Sequence, residues 1–331
     1  MVGEDIYDDE WNYIETIIPE IWGQTIGKED YPVLGGEKVY LSDEGYYNKV
    51  NKLAGYTISL GDKIAVNYYM SLTEKTINDA NAKMVFTVPD TGSTYTVEIP
   101  VSEAVKSGDY YVFTCEVAAK EMTSVIKAKF VTSDTELQLE DYSVQQYAEV
   151  ILSDAVKYAN EQELVKAMLN YGAYAQICFG YNTESLANSI LDEADKALAT
   201  YNFDEFAPVV SGEEAGVTYY GSTLSLKSET AIKHYFIIED ESSMPEFKVN
   251  GKTVEAVKNG TLYEVKITDL PAHNLDEVFT VEAGALSVQY GAFSYAYQAL
   301  QTDKDALKDV VNALYAYNLK ADEYVVSDSI D

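Results

Sequence analysis

LVKAMLNYGAYAQICF, residues 164–179, sets Leu164, Met168, Tyr171, Ala175 and Cys178 at intervals of three and four. That spacing lays a single apolar seam along an α-helix. The pattern returns near the other end of the chain as VVNALYAYNLKADEYV, residues 310–325. Here Val310, Leu314, Tyr317, Ala321 and Tyr324 each lie the same number of residues beyond their counterparts. A helix with one apolar stripe must bury it, so each seam is expected to cover a layer of other structure. Each seam side chain contributes about 1.5–3 kcal/mol when fully buried.

Upstream of each seam the reading is β. Residues 56–60, 64–70, 84–88, 94–99, 110–117, 124–131 and 136–142 are rich in β-branched and aromatic residues. They are broken by Gly61-Asp62, Pro89-Asp90-Thr91-Gly92 and Ser107-Gly108-Asp109. The period then changes, and helices are expected over 144–158, 161–179 and 184–200, the last capped by Asn182 or Thr183. After a loop holding Pro208, Ser211 and Gly212 the programme restarts with strands at 219–226 and 231–237. Asn250-Gly251 and Asn259-Gly260 supply the positive φ of tight hairpins, and predict a three-stranded meander over 247–267. Two helices, 293–300 and 305–325, close the chain, with Thr302 or Asp303 capping the second.

VKSGDYY (105–111) aligns with VKNGTLY (257–263), and AAKEMT (118–123) with PAHNLD (271–276). A repeat of this size is a stronger statement about fold than any short motif. The expected fold class is α+β: two related copies of an antiparallel β-layer, arranged as a sandwich, each followed by a helical hairpin. Residues 1–52 form the end of an upstream repeat region or a linker, 53–203 the first copy and 204–331 a second, shorter one. Both tryptophans, Trp11 and Trp22, lie in the first segment, where they are expected to pack locally.

The charge balance narrows the function. The chain carries 55 acidic and 23 basic residues, a net charge of −32, and every basic residue is lysine. Such a surface repels phosphate backbones and lacks the guanidinium fork that grips them, which argues against nucleic acid as a partner. No apolar run reaches membrane-spanning length, so no membrane insertion is expected. Cys115 and Cys178 align with Ile267 and Tyr324, which predicts buried free thiols. A bridge would require their Cα atoms within about 7 Å.

Chemistry-bearing motifs are sparse. His234 and His273 align with Asn67 and Lys120, so no histidine site is expected in both copies, and both histidines read as ordinary surface or hydrogen-bonded residues. Two histidines and two separated cysteines are a poor zinc set. The acidic clusters at Asp8-Asp9-Glu10 and Glu239-Asp240-Glu241 lack the oxygen spacing of a calcium loop. No metal, cofactor or catalytic role is therefore expected. Tyrosine is the unusual enrichment, 29 residues with doublets at 46–47, 68–69, 110–111 and 219–220. In a strand a doublet sends one ring inward and one outward. Tyr46, Tyr47, Tyr110 and Tyr219 are the candidate binding residues, set against the simpler reading of tyrosine as a sheet-forming aromatic.

YYVFTCEVAAKEMT (110–123), LVKAMLNYGAYAQICFGYNTESLAN (164–188) and GVTYYGSTLSLKSETAIKHYF (216–236) resemble a tandem module of large surface proteins from anaerobic Gram-positive gut bacteria. IWGQTIGKEDYPVLGGEKVY (21–40) resembles the closing unit of GLUG-type repeats. The resemblance implies an extracellular, cell-surface location and a role in contact with a host protein, mucin or immunoglobulin among others, or with a bacterial surface component. A glycan ligand is the second possibility, as in a carbohydrate-binding module pair serving a polysaccharide-degrading system. A spacer or stalk, and a glycosidase fragment using an acidic pair, are further readings.

Overall fold

The computed structural model describes residues 50–59, 63–90, 92–226 and 230–328, with four short strands nearer the N-terminus. Those four are β1 (Glu4–Tyr7), β2 (Tyr13–Ile17), β3 (Trp22–Gly23) and β4 (Val33–Leu34). β1 pairs with β2 and β3 with β4, both antiparallel. The expected local packing of the tryptophan side chains lies outside the described residues.

The chain is a mixed α+β protein built on antiparallel sheets. From residue 52 its elements are β5 (Lys52–Ser59), β6 (Ala65–Ser71), a single helical turn α1 (Glu74–Ile77), β7 (Lys83–Asp90), β8 (Ser93–Pro100), β9 (Val105–Ser107), β10 (Tyr110–Glu116), β11 (Lys127–Val131) and β12 (Glu136–Gln138). They assemble into one sheet of order β5-β6-β10-β9 and another of order β12-β11-β7-β8. Alternation decides which faces are buried. In β6, Val66, Tyr68 and Met70 are buried while Asn67, Tyr69 and Ser71 are half-exposed. Rings from the two sheets meet, Tyr68 against Phe86 at 4.9 Å and Phe113 against Phe130 at 5.8 Å between centroids.

Two helices follow, α2 (Val144–Ser153) and α3 (Gln162–Phe179). Ser143 caps α2 by accepting from the Gln146 N–H. α3 ends where Gly180 turns left-handed (φ 61°) and the Tyr181 N–H reaches back to the Gln176 carbonyl at 2.9 Å. The anticipated extension of α2 to residue 158 is absent. The Asp154 carboxylate takes the Lys157 N–H at 3.0 Å, and the Gln162 amide closes the Ile151 carbonyl at 2.7 Å. The helix expected over 184–200 also fails to form, apart from a 3₁₀ turn at Ala187–Ile190. Side chains from neighbouring helices take its backbone groups instead. Gln176 donates to the Ser185 carbonyl (2.9 Å) and accepts from the Ala187 N–H (2.7 Å), and Gln145 donates to the Ala187 carbonyl (2.9 Å).

The second half runs β13 (Val209–Ser211), β14 (Val217–Leu226), β15 (Thr230–Ile238), β16 (Phe247–Val249), β17 (Lys252–Val254), β18 (Val257–Asn259), β19 (Leu262–Ile267), β20 (Val278–Ala283), β21 (Leu286–Gly291), α4 (Ala292–Leu300) and α5 (Asp305–Asp328). Its sheets have the orders β14-β15-β19-β18 and β13-β21-β20-β16-β17. The 247–267 meander is thereby corrected: both Asn-Gly hairpins form, but each belongs to a different sheet, because the chain crosses over between β17 and β18. Phe236 meets Phe247 at 5.2 Å across these sheets.

The two seams face each other. α3 packs along α5, and Tyr171 and Tyr317 stack at 5.8 Å with planes 17° apart. Leu164, Met168, Tyr171 and Ala175 are buried on one side of this junction, and Val310, Leu314, Tyr317 and Ala321 on the other. Among the described residues, no helix is long and apolar enough to cross a membrane. Cys115, in β10, is a buried free thiol, and Cys178, in α3, is a half-buried one.

Candidate functional site

Between α3 and β13 the chain passes through YNFDEF, residues 201–206, which is fastened to the second half by aromatic packing. Phe203 is buried against Phe293 of α4 (5.7 Å) and Tyr315 of α5 (5.1 Å), and Phe206 lies 5.4 Å from Phe293. The Tyr201 N–H donates to the Asn312 side chain of α5 at 2.9 Å, and the Tyr201 ring meets Tyr315 at 4.8 Å. Asn202 and Asp204 brace one another: the Asp204 N–H donates to Asn202 Oδ1 (2.7 Å), and Asn202 Nδ2 to Asp204 Oδ2 (3.1 Å). Anchored by these contacts, this linker forms one wall of an open concavity of about 370 Å³. Tyr297, Leu300 and Gln301, at the end of α4, form the other.

The lining combines two tyrosines, Leu300 with the buried Phe203 behind it, two carboxamides and one carboxylate. No lysine contributes to it. Such a surface can take a ligand with one apolar face and several hydroxyl or amide groups.

The tyrosines singled out from the sequence lie elsewhere. Tyr110 begins β10, is 41% exposed and meets Tyr69 edge-on at 6.3 Å. Tyr219, in β14, faces the packed side of its sheet: its hydroxyl is bonded to Ser222 at 2.7 Å and its ring lies against Phe236. Its neighbour Tyr220 is the ring turned to solvent, at 66% exposure. Tyr110 and Tyr219 belong to different sheets, and Tyr46 and Tyr47 lie outside the described residues.

Two buried clusters hold an acid and a base whose pKa values are displaced by their surroundings. Glu121 sits in a 3₁₀ turn (Ala119–Glu121), and one carboxylate oxygen accepts from both the Ala118 N–H and the Tyr95 hydroxyl at 3.0 Å. Burial raises its pKa, against the lowering by those bonds and by Lys120. Lys120 is itself engaged with Asp90 at 2.7 Å and lies 4.8 Å from the Tyr181 ring centre. The Tyr181 hydroxyl donates to the Pro89 carbonyl at 3.1 Å and shares a 2.7 Å bond with Ser124. A raised carboxylate is the attribute of a general acid. Here it ties the β7–β8 hairpin to the turn that α3 packs upon. The sequence signal for it was a glutamate three residues after the start of a turn, the position from which a side chain reaches back to the leading N–H.

His234, in β15, is fully buried. Its Nδ1 shares a 2.7 Å hydrogen bond with Ser222, and its ring meets Tyr290 edge-on at 5.6 Å. Nε2 is buried with no hydrogen-bond partner among the described residues. Burial pulls the pKa down to about 4, so the ring is neutral at pH 7 and a weak base. His273 lies in a 3₁₀ turn (Ala272–Asn274) beneath α5. Among the described residues no group of three histidine, cysteine or acidic side chains is placed to hold a metal ion. No protein-family model matches the sequence, and a search of curated proteins finds no match.

Proposed function

We propose that this chain is a non-catalytic binding region of an extracellular bacterial surface protein, made of two copies of one unit docked back to back. Each unit is a β-sandwich followed by a helical hairpin, over 53–203 and 204–331, with residues 1–52 as the end of an upstream repeat. Its partner is a host or bacterial macromolecule. The strand orders support the duplication. β5-β6-β10-β9 matches β14-β15-β19-β18, and β12-β11-β7-β8 matches β21-β20-β16-β17, with β13 added at the edge. The ladders agree as well: Cys115 lies opposite Val66, and its counterpart Ile267 opposite Ile232. On that register His234 takes the place of Tyr68 rather than Asn67, and both are fully buried polar rings facing the other sheet.

The observation that carries the binding reading is the contrast between the two kinds of site. Glu121 and His234, the buried acid and base with displaced pKa values, are engaged in structural contacts, whereas the open concavity is lined by tyrosines, carboxamides and one carboxylate. The test is a binding isotherm of the full chain against purified mucin, immunoglobulin and bacterial wall extract, with the bound ligand recovered and analysed by mass. Saturable binding and recovery of the ligand unchanged are expected. Binding to none of the three would leave a spacer as the better reading, and a shortened glycan would mean turnover.

A further inference from the structure

We propose that the concavity between residues 201–204 and the end of α4 is a saccharide subsite for one or two sugar rings of a neutral glycan. This rests on the reading of the chain as a binding region and names its ligand class. A pyranose has a face of C–H groups and a perimeter of hydroxyls, each able both to donate and to accept. The concavity offers the matching halves: Tyr201 and Tyr297 approach from separate elements, while Asn202, Asp204 and Gln301 supply planar amide and carboxylate groups around them.

Charge and backbone decide against the other ligand classes. Asp204 and the exposed Glu205 beside it sit at a site without a lysine, on a chain of net charge −32. Phosphate, sulfate, sialic acid and acidic peptides are therefore repelled. A cationic ligand would meet one lining carboxylate, already hydrogen-bonded to Asn202. An extended peptide normally gains affinity by adding to a sheet edge. The walls here are a linker and a helix end, which present no such edge. The site is also preorganised: the Tyr201 N–H is held by Asn312, Phe203 is buried, and the Asn202–Asp204 pair is closed.

The full chain is to be titrated calorimetrically with soluble neutral oligosaccharides of glucose, galactose, mannose and N-acetylglucosamine, and with sialylated and sulfated counterparts. The parallel set uses Tyr297→Ala, Gln301→Ala and, as a control on a remote sheet, Tyr220→Ala, with folding checked by circular dichroism. At least one neutral series is expected to bind. Its affinity should fall about tenfold in Tyr297→Ala, fall measurably in Gln301→Ala and stay unchanged in Tyr220→Ala. Preference for the acidic glycans, no neutral binding up to about 10 mM, or equal binding by Tyr297→Ala would overturn the proposal. If mucin binding survives enzymatic removal of its glycans and the Tyr297→Ala change, the binding region stands and the saccharide subsite falls. If mucin, immunoglobulin, wall extract and sugars all fail to bind, both fall.

Discussion

Replacing Gly172 by alanine sets two known effects against each other. In a helix interior alanine is favoured over glycine by about 1 kcal/mol, so a solvent-facing Gly172 would make the variant more stable. Gly172 instead lies in the middle of α3 on its buried side. A Cβ built there would come 2.5 Å from Met122 Sδ, 3.0 Å from Ala187 Cβ and 3.2 Å from the Ala119 carbonyl oxygen. The thioether can swing, but Met122 is fully buried, and the other two contacts are a methyl on its backbone and the backbone itself. Overpacking of this kind costs about 1–3 kcal/mol. The net expectation is a loss of about 0–2 kcal/mol once the helix gain of about 1 kcal/mol is subtracted. Urea denaturation followed by circular dichroism reads this directly. In a Met122→Ala background the nearest contact is removed, so there the added methyl should cost less than in the parent. A Gly172→Ala chain more stable than the parent, with no coupling to Met122, would refute the close approach of α3 to the 119–122 turn.

Two further perturbations probe the core. Met168→Ala empties a fully buried position on the seam and should cost about 2–5 kcal/mol; a loss below about 0.5 kcal/mol in the same assay would place that side chain in water. His234 gives a pH signature. Its folded pKa of about 4 lies below the ordinary 6.5, so the stability of the neutral ring is complete above pH 6.5 and declines as pH falls towards 4. The stability difference between the parent and His234→Leu should therefore shift by about 3 kcal/mol against the parent between pH 7.5 and 4. A pH-independent difference would mean that the ring is solvated or paired.

Much of the architecture was legible because it rests on local signals. The seam spacing located α3 and α5, Pro89 to Gly92 marked the β7–β8 hairpin, and both Asn-Gly turns formed where expected. What escaped depended on long-range competition. Residues 184–200 have helical spacing, but Gln145 and Gln176, far away or on another element, take over their backbone groups. The β20–β21 hairpin passed unnoticed because its turn holds only Gly284 (φ 60°) followed by alanine, a weaker signal than Asn-Gly. Local turn chemistry likewise could not say that β17 and β18 belong to different sheets. The concavity was hidden for a related reason. Nothing in YNFDEF pointed to a site, because only the fold brings Tyr297 and Gln301 of α4 opposite it. The tyrosine doublets at 68–69, 110–111 and 219–220 fall in strands, but pleat alone did not reveal that Tyr220, not Tyr219, turns outward.

The proposed docking of two equivalent units rests on the packing of α3 along α5. It is tested most directly by a double-mutant cycle on Tyr171 and Tyr317, each changed to leucine alone and together. Stacked rings 5.8 Å apart should give a coupling energy of about 0.5–1.5 kcal/mol in urea melts. Additive losses, with coupling below about 0.3 kcal/mol, would contradict the arrangement.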